Sequence, residues 1–368
     1  MYPALAVAGH LAAEHDDVLF VGTPDGLEAH LVPEAGVEFR GLRASGFNRS
    51  RPWTLLTSSV RIAASTLTAW WWLGAGKPDV VIGFGGYVSI PVGLAAVMRG
   101  VPLVLHEQNS VPGLANKVLS RWANAVGATY GESAPHFAHP ELVEVTGNPV
   151  RPAVLAADRA RGRKALSLPK TSTVLLVFGG SRGARHLNSA ILALRDRLLA
   201  IRKLRVVHVA GKLEVDTVRG ALDAAGGDGG GRWLVLDYID DMGSALAAAD
   251  LVVARAGATS IAEITALGLP AVLVPYPYAT DDHQTRNAAT MVAHDAAVLV
   301  ADGDLDEERF GDILVELLGD AGRRATMSDA SRTLGRPDAA AQLAYMAHEA
   351  AGVDANPPTD QPTEDSVV

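Results

Sequence analysis

The chain has 368 residues, 48% of them hydrophobic, and a formal net charge of −9 at pH 7, with a mean hydropathy of +0.16. That length allows two domains with substantial cores, and the acidic balance argues against non-specific binding to nucleic acid. The lack of cysteine excludes disulfides, thiolate metal sites and cysteine nucleophiles.

The N-terminus, MYPALAVAGHL, has neither a basic start nor an A-x-A cleavage site. No apolar run reaches the length of a membrane span. Together these predict a cytoplasmic protein, soluble or peripheral. In chain order, strands are predicted at Asp17 to Gly22 (DVLFVG), Asp79 to Phe84 (DVVIGF) and Pro102 to Glu107 (PLVLHE), with helical segments between them. The segment Arg51 to Lys77 is apolar, holds Trp53 and Trp70 to Trp72, and carries a basic residue at each end. It has the character of an interfacial helix, and also that of a helix packed on a sheet. Three consecutive tryptophans cannot share one helical face, so the split between core and surface falls among them. From Arg40 to Tyr130 nine basic residues face two acids, Asp79 and Glu107, a local excess of seven positive charges. Such a face suits anionic headgroups.

TGNPVRP, Thr146 to Pro152, reads as the join between halves. Beyond it come TVLLVFGG, RVVHVAG, WLVLDYI, DLVVARAG, PAVLVPYP and AAVLV, alternating with Ala/Leu-rich helical segments. Strands alternating with helices imply parallel sheets with right-handed crossovers. GGDGGG, Gly226 to Gly231, reads as a flexible surface loop, and the segment from Gly352 onward as a disordered tail.

Chemistry in open parallel sheets gathers beyond the carboxyl ends of the strands. Four polar segments sit there: GGYVS, HEQNSVPGLANK, RAGATSIAEI and YATDDHQTRNA. A fifth, GGSRGARHLN from Gly179 to Asn188, follows an apolar strand and opens a helix. Glycines let the backbone approach a ligand, and the free N–H groups of the first helical turn face an anion. That pattern describes a diphosphate cradle near mid-chain.

GFGGYVS, HEQNSVPGLANK, TGNPVR, GGSRGARHLN, YIDDM, RAGATSIAEI and DDHQTRNA, in this order and spacing, resemble the MurG family. Its members are glycosyltransferases that move N-acetylglucosamine from UDP-GlcNAc to lipid I in peptidoglycan synthesis. The resemblance runs from Met1 to about residue 350; Ala256 stands where the family often has serine. It implies an α/β chain with the GT-B fold, two Rossmann-like parallel-sheet domains facing a cleft. Residues 1–148 would form the acceptor- and membrane-binding domain and 149–334 the UDP-GlcNAc domain. Residues 335–351 would be a helix packing back towards the first domain, before a tail at 352–368.

The resemblance also implies roles. Glu263 would accept hydrogen bonds from both ribose hydroxyls, as a vicinal diol requires. The backbone of Ile239 would read the uracil edge, and Ser181 would bind phosphate. Ala258, Thr259 and Ser260, continuing into Ile261 and Ala262, would face the diphosphate. Arg151 would reach the donor, while Gln284 and Asn109 would fix the sugar hydroxyls. Gly85, Gly86, Tyr87, Val88 and Ser89, with His106 and Glu107, would hold the acceptor pyrophosphate. Plainer readings stand beside these: His106 as the orienter of a loop, Glu263 as a solvated helix residue, Arg151 as a cap or ion pair. Asn188 and Asn116 read as loop ties.

The implied chemistry is inverting transfer to the C4 hydroxyl of lipid I, forming lipid II at the cytoplasmic face of the membrane, without metal or cofactor. The D-x-D runs DGD and DLD, from Asp302 to Asp306, read as solvated acids away from the glycine turns. The expected partners are UDP-GlcNAc, lipid I and an anionic membrane surface, not nucleic acid. Other expectations for the same motifs are a UDP-GlcNAc 2-epimerase, a glycolipid synthase, or an inactive UDP-GlcNAc binder. One departure is large. The family opens with a strand and then G-G-T-x-G-H-x-x-P-A-L-A, whereas this chain opens Met1-Tyr2-Pro3-Ala4-Leu5-Ala6. The family's histidine, taken as the general base or its organiser, would precede Met1, and so would the strand. Its neighbours are then expected to expose a hydrogen-bonding edge.

Overall fold

The structure, a computed structural model, describes residues 1–44, 54–180, 184–354 and 357, with the backbone alone for 54–58. Ser181, Trp53 and Arg51 lie outside the described residues. Residues 1–151 with 336–368 form one compact unit and 152–335 another.

The first unit runs through α1 (Tyr2–Ala13), β1 (Leu19–Gly22), α2 (Glu28–Glu34), β2 (Glu38–Gly41) and α3 (Thr54–Gly76). It continues with β3 (Val81–Gly83), α4 (Ser89–Arg99), β4 (Leu103–Glu107), α5 (Leu114–Leu119), β5 (Ala125–Ala128) and β6 (Val143–Val145). Every pairing is parallel, but the strands form two sheets, β1-β2 and β3-β4-β5-β6. Among the described residues β1 and β3 each leave one edge without a strand partner. One helix serves both sheets. Val88, Val92 and Ala95 of the α4 region share a core with Val21 of β1. Leu94 and Val97 of α4 share another with Val81, Leu103 and Leu105 of β3 and β4. β4 is buried along its whole length, which is why LVLHE reads as an unbroken apolar strand up to its last two residues.

The second unit begins with α6 (Pro152–Leu155), α7 (Arg159–Ala165), β7 (Thr173–Phe178), α8 (Arg185–Ala193), α9 (Arg195–Ala200) and β8 (Leu204–Val209). It continues with α10 (Val215–Ala224), β9 (Trp233–Leu236), α11 (Met242–Ala248), β10 (Leu251–Ala254), α12 (Ala258–Ala266) and β11 (Ala271–Leu273). α13 (His283–Ala293), β12 (Ala297–Leu299), α14 (Glu308–Gly319) and α15 (Ala321–Leu334) complete it. The last helix, α16 (Ala339–Ala351), belongs to the first unit, where Leu343 and Met346 pack on Val7 and Val104.

The second sheet is continuous and parallel, in the order β12-β11-β10-β7-β8-β9. β7 and β10 lie side by side at its centre, Val177 opposite Val253, both fully buried. That is the place an uninterrupted VLLV or LVV run should take.

Candidate functional site

In the second unit the strand ends follow the expected pattern. β7 ends in Gly179 and Gly180. A side chain on Gly179 would come within 2.3 Å of the Ala184 Cβ, and Gly180 has φ +94°, so this turn admits little but glycine. α8 starts directly beyond it, tied to the next strand. Asn188 Nδ2 donates to the Ala210 carbonyl over 2.9 Å, and Asn188 Oδ1 accepts from His208 Nε2 over 3.0 Å.

β10 ends in Arg255-Ala256-Gly257, and Gly257 is the N-cap of α12. Ala258, Thr259 and Ser260 form the first turn, whose N–H groups lack intrahelical partners and carry the positive end of the helix dipole. Ile261 is buried and Ala262 half-buried. Glu263 is 5% exposed and sits one turn from Thr259 on the same side of α12. A buried carboxylate beneath an anion-seeking turn can receive a diol while the turn receives phosphate. Ile239 is half-buried just past β9, at the far edge of the sheet. Gln284, near the start of α13, accepts from the Tyr276 N–H at 2.9 Å through Oε1, which leaves its amide to point elsewhere.

Asn109 and Arg151 lie in the first unit, where Arg151 stacks on the Tyr2 ring at 4.5 Å. There Gly85 and Gly86 turn with φ +77° and +78° between β3 and α4, and Ser89 Oγ donates to the Gly85 carbonyl. Val88 caps α4 and Tyr87 is exposed.

Glu107 faces inwards. Its Oε1 accepts from Asn109 N–H (3.0 Å) and Asn109 Nδ2 (3.3 Å), and its Oε2 from Gly113 N–H (3.0 Å) and Asn116 Nδ2 (2.9 Å). Its carboxylate shapes the loop that presents Asn109. His106 is fully buried. Its Nε2–H donates to the Gly147 carbonyl at 2.9 Å, and its Nδ1 accepts from Gln108 Nε2 at 3.2 Å. Burial holds its pKa down to about 4 despite the Gly147 hydrogen bond. This is the geometry of a neutral, orienting imidazole.

The chain was compared with known proteins. Residues 1–128 match the glycosyltransferase family 28 N-terminal domain and residues 174–343 its C-terminal domain. A curated relative from Halothermothrix orenii is 39% identical over 341 residues, 92% of each chain. Another, from Salinibacter ruber, is 42% identical over 346 residues, 94% of this chain and 92% of its own. Both are named UDP-N-acetylglucosamine--N-acetylmuramyl-(pentapeptide) pyrophosphoryl-undecaprenol N-acetylglucosamine transferase. The solved structure of Acinetobacter baumannii MurG, 28% identical, superposes with a TM-score of 0.74 over 95% of each chain. The chain belongs to the MurG family.

Two features of this MurG chain escaped the sequence. Gln108 Nε2 also donates to the Phe84 carbonyl at 3.2 Å, linking the HEQN loop to the GGYVS turn; the motif contains it, but nothing in the spacing assigns it that bond. The second is a correction. Asp302 is not a solvated acid away from the glycine turns: it pairs with Arg255 beside α12 and with His186 in the first turn of α8. Its partners are remote in sequence, so a local D-x-D run could not reveal them.

Proposed function

We propose that this chain transfers N-acetylglucosamine from UDP-GlcNAc to the C4 hydroxyl of the N-acetylmuramic acid of lipid I, forming lipid II. The observation that carries this reading is the agreement, over 92% of the chain, with relatives named for that transfer. The arrangement of the second unit supports it. Uracil would lie against the Ile239 backbone, the ribose diol on Glu263, and the diphosphate at the first turn of α12 and the glycine turn of β7. Gln284 would hold the sugar hydroxyls. As the hydroxyl attacks the anomeric carbon from the face opposite UDP, negative charge grows on the departing diphosphate. Fixed N–H groups and the helix dipole stabilise it without rearranging. The acceptor pyrophosphate would rest against Gly85 to Ser89, on the loop that His106 and Glu107 brace.

The acceptor is a polyprenyl lipid, so the enzyme would act at the cytoplasmic face of the membrane and hold an anionic surface. No helix among the described residues is long and apolar enough to cross a bilayer. α3 supports a peripheral contact instead: Val60, Leu67 and Trp71 are exposed, and their spacing puts them on one face.

The test is transfer of labelled GlcNAc from UDP-GlcNAc with and without lipid I, for the parent chain and Glu263→Ala. The reading predicts product only with lipid I. It also predicts that E263A loses about 1.5–3 kcal/mol of donor binding, the worth of a hydrogen bond to a charged group. Epimerised or hydrolysed sugar released without acceptor would support the epimerase reading instead, and unchanged donor affinity in E263A would sink the donor assignment.

A further inference from the structure

Four charged side chains meet beside the start of α8 and the residues leading into α12. Asp302 Oδ2 lies 2.8 Å from His186 Nδ1, and Asp302 Oδ1 lies 2.5 Å from Arg255 Nη1, as an ion pair rather than an aligned hydrogen bond. Asp306 Oδ2 sits 3.0 Å from the other ring nitrogen of His186. His186 is the second residue of α8, and Arg255 lies two residues before the N-cap of α12. The strands feeding these helices, β7 and β10, are hydrogen-bonded neighbours.

We propose that Asp302 is a positioning residue for the donor: it clamps His186 to Arg255, so that the first turns of α8 and α12 present their N–H groups to one nucleoside diphosphate. The proposal rests on the donor-site reading given above. The same Nη1 of Arg255 also donates to the carbonyls of Val274 and Pro275 at 3.3 and 3.0 Å, which fixes the guanidinium independently of Asp302. Asp302 therefore connects α8 to a guanidinium already anchored at the end of β11. The Arg255 and Asp302 side chains are only 12% and 14% exposed, so their attraction is weakly screened and removing one partner strands the other.

His186 meets a carboxylate at each ring nitrogen, and donating at both requires the imidazolium. Asp302 first, and Asp306 second, raise its pKa above the ordinary histidine value. Among the described residues the other charges around this turn are Arg185, paired at 3.1 Å with Glu214, the N-cap of α10, and Arg255 beyond Asp302. As pH rises through the raised midpoint, His186 loses its charge and one N–H, so its ionic attraction to Asp302 is lost and the clamp weakens.

The experiment is calorimetric binding of UDP to the full chain over a pH series that begins near the ordinary histidine value of about 6.5 and climbs above it. Wild type, D302A, D306N and H186Q are compared, with melting curves for each. Because removing Asp302 strands two weakly screened cations and frees both helix starts, D302A should weaken UDP binding about 10-fold or more while remaining folded. Wild-type affinity should fall with rising pH, D306N should move that fall to lower pH, and H186Q should remove it. Unchanged UDP affinity in D302A would overturn the proposal, as would the wild-type pH profile persisting in H186Q. A wild type that fails to bind UDP would defeat the donor reading itself, and the clamp with it.

Discussion

His106 and His208 are the two imidazoles that burial holds neutral, each with its pKa lowered to about 4. A histidine depressed in the folded state binds fewer protons there than in the unfolded chain. Its contribution is therefore complete above the ordinary value near 6.5 and is lost as pH falls towards about 4. A shift of that size corresponds to roughly 3 kcal/mol per site. The first unit loses this support through His106, and the second through His208, whose Nε2–H donates to Asn188 Oδ1. Ring-proton NMR titration should find two histidines neutral down to about pH 4, and His186 protonated above the usual range. Both imidazoles titrating near 6.5 would contradict this. At this scale the sequence was legible where a role depends on neighbours in the chain. Gly179, as a turn glycine, and Asn188, as a loop tie, announce themselves through motif spacing. Asp302 does not, because it meets His186 across 116 residues and only the folded sheet brings them together.

α3 shows how a helix can belong to a core and still offer an apolar face. Ala69, Trp70, Trp72 and Leu73 pack with Leu42 and Ala95, whereas Trp71 points out at 65% exposure. The division that three consecutive tryptophans demand thus leaves Trp71 as the outward ring. Arg99 stacks over Trp70 at 3.6 Å, and exposed Met98 lies beside it on α4. Replacing Trp71 with serine should weaken binding to anionic vesicles by about 1.5–3 kcal/mol, the worth of one large apolar side chain withdrawn from water. Stability should change by less than about 0.5 kcal/mol, as for other surface substitutions. Co-sedimentation with vesicles of graded anionic content, at low and high salt, checks this; binding indifferent to both Trp71 and lipid charge would rule out this face. Element by element, strands carried by an apolar run were legible, the three-residue β3, β11 and β12 among them, and β2, β5 and β6 were not. β2 (EFRG) is mostly exposed, β5 (AVGA) is built of small residues, and β6 is three residues long. Such segments become strands because a neighbouring parallel edge offers hydrogen bonds, which is a tertiary cause.

The two units differ in the continuity of their sheets. Six strands run unbroken in residues 152–335, whereas the first unit divides its strands two and four, with α4 packed on both pieces. Among the described residues β1 and β3 each have an unpaired parallel edge, and each hydrogen bond forgone is worth about 0.5–1.5 kcal/mol. Hydrogen exchange should therefore be faster in β1 and β3 than in β7 and β10, since local stability follows the surrounding pairing and packing. We propose that a parallel strand laid between β1 and β3, leading into a G-G-T-x-G-H turn before α1, would join the two sheets. That turn would also carry the histidine the family uses as base or organiser. Fusing such a segment ahead of Met1 should slow exchange in β1 and β3. It should raise lipid I turnover by at least about 10²-fold, the lower range for a general base. If residues 1–368 alone already turn over lipid I as fast as the extended chain, the fused histidine is not the base. His106 cannot take its place, since it is buried with both ring nitrogens engaged. The proton acceptor would then be another group, and the divided sheet would be sufficient for catalysis.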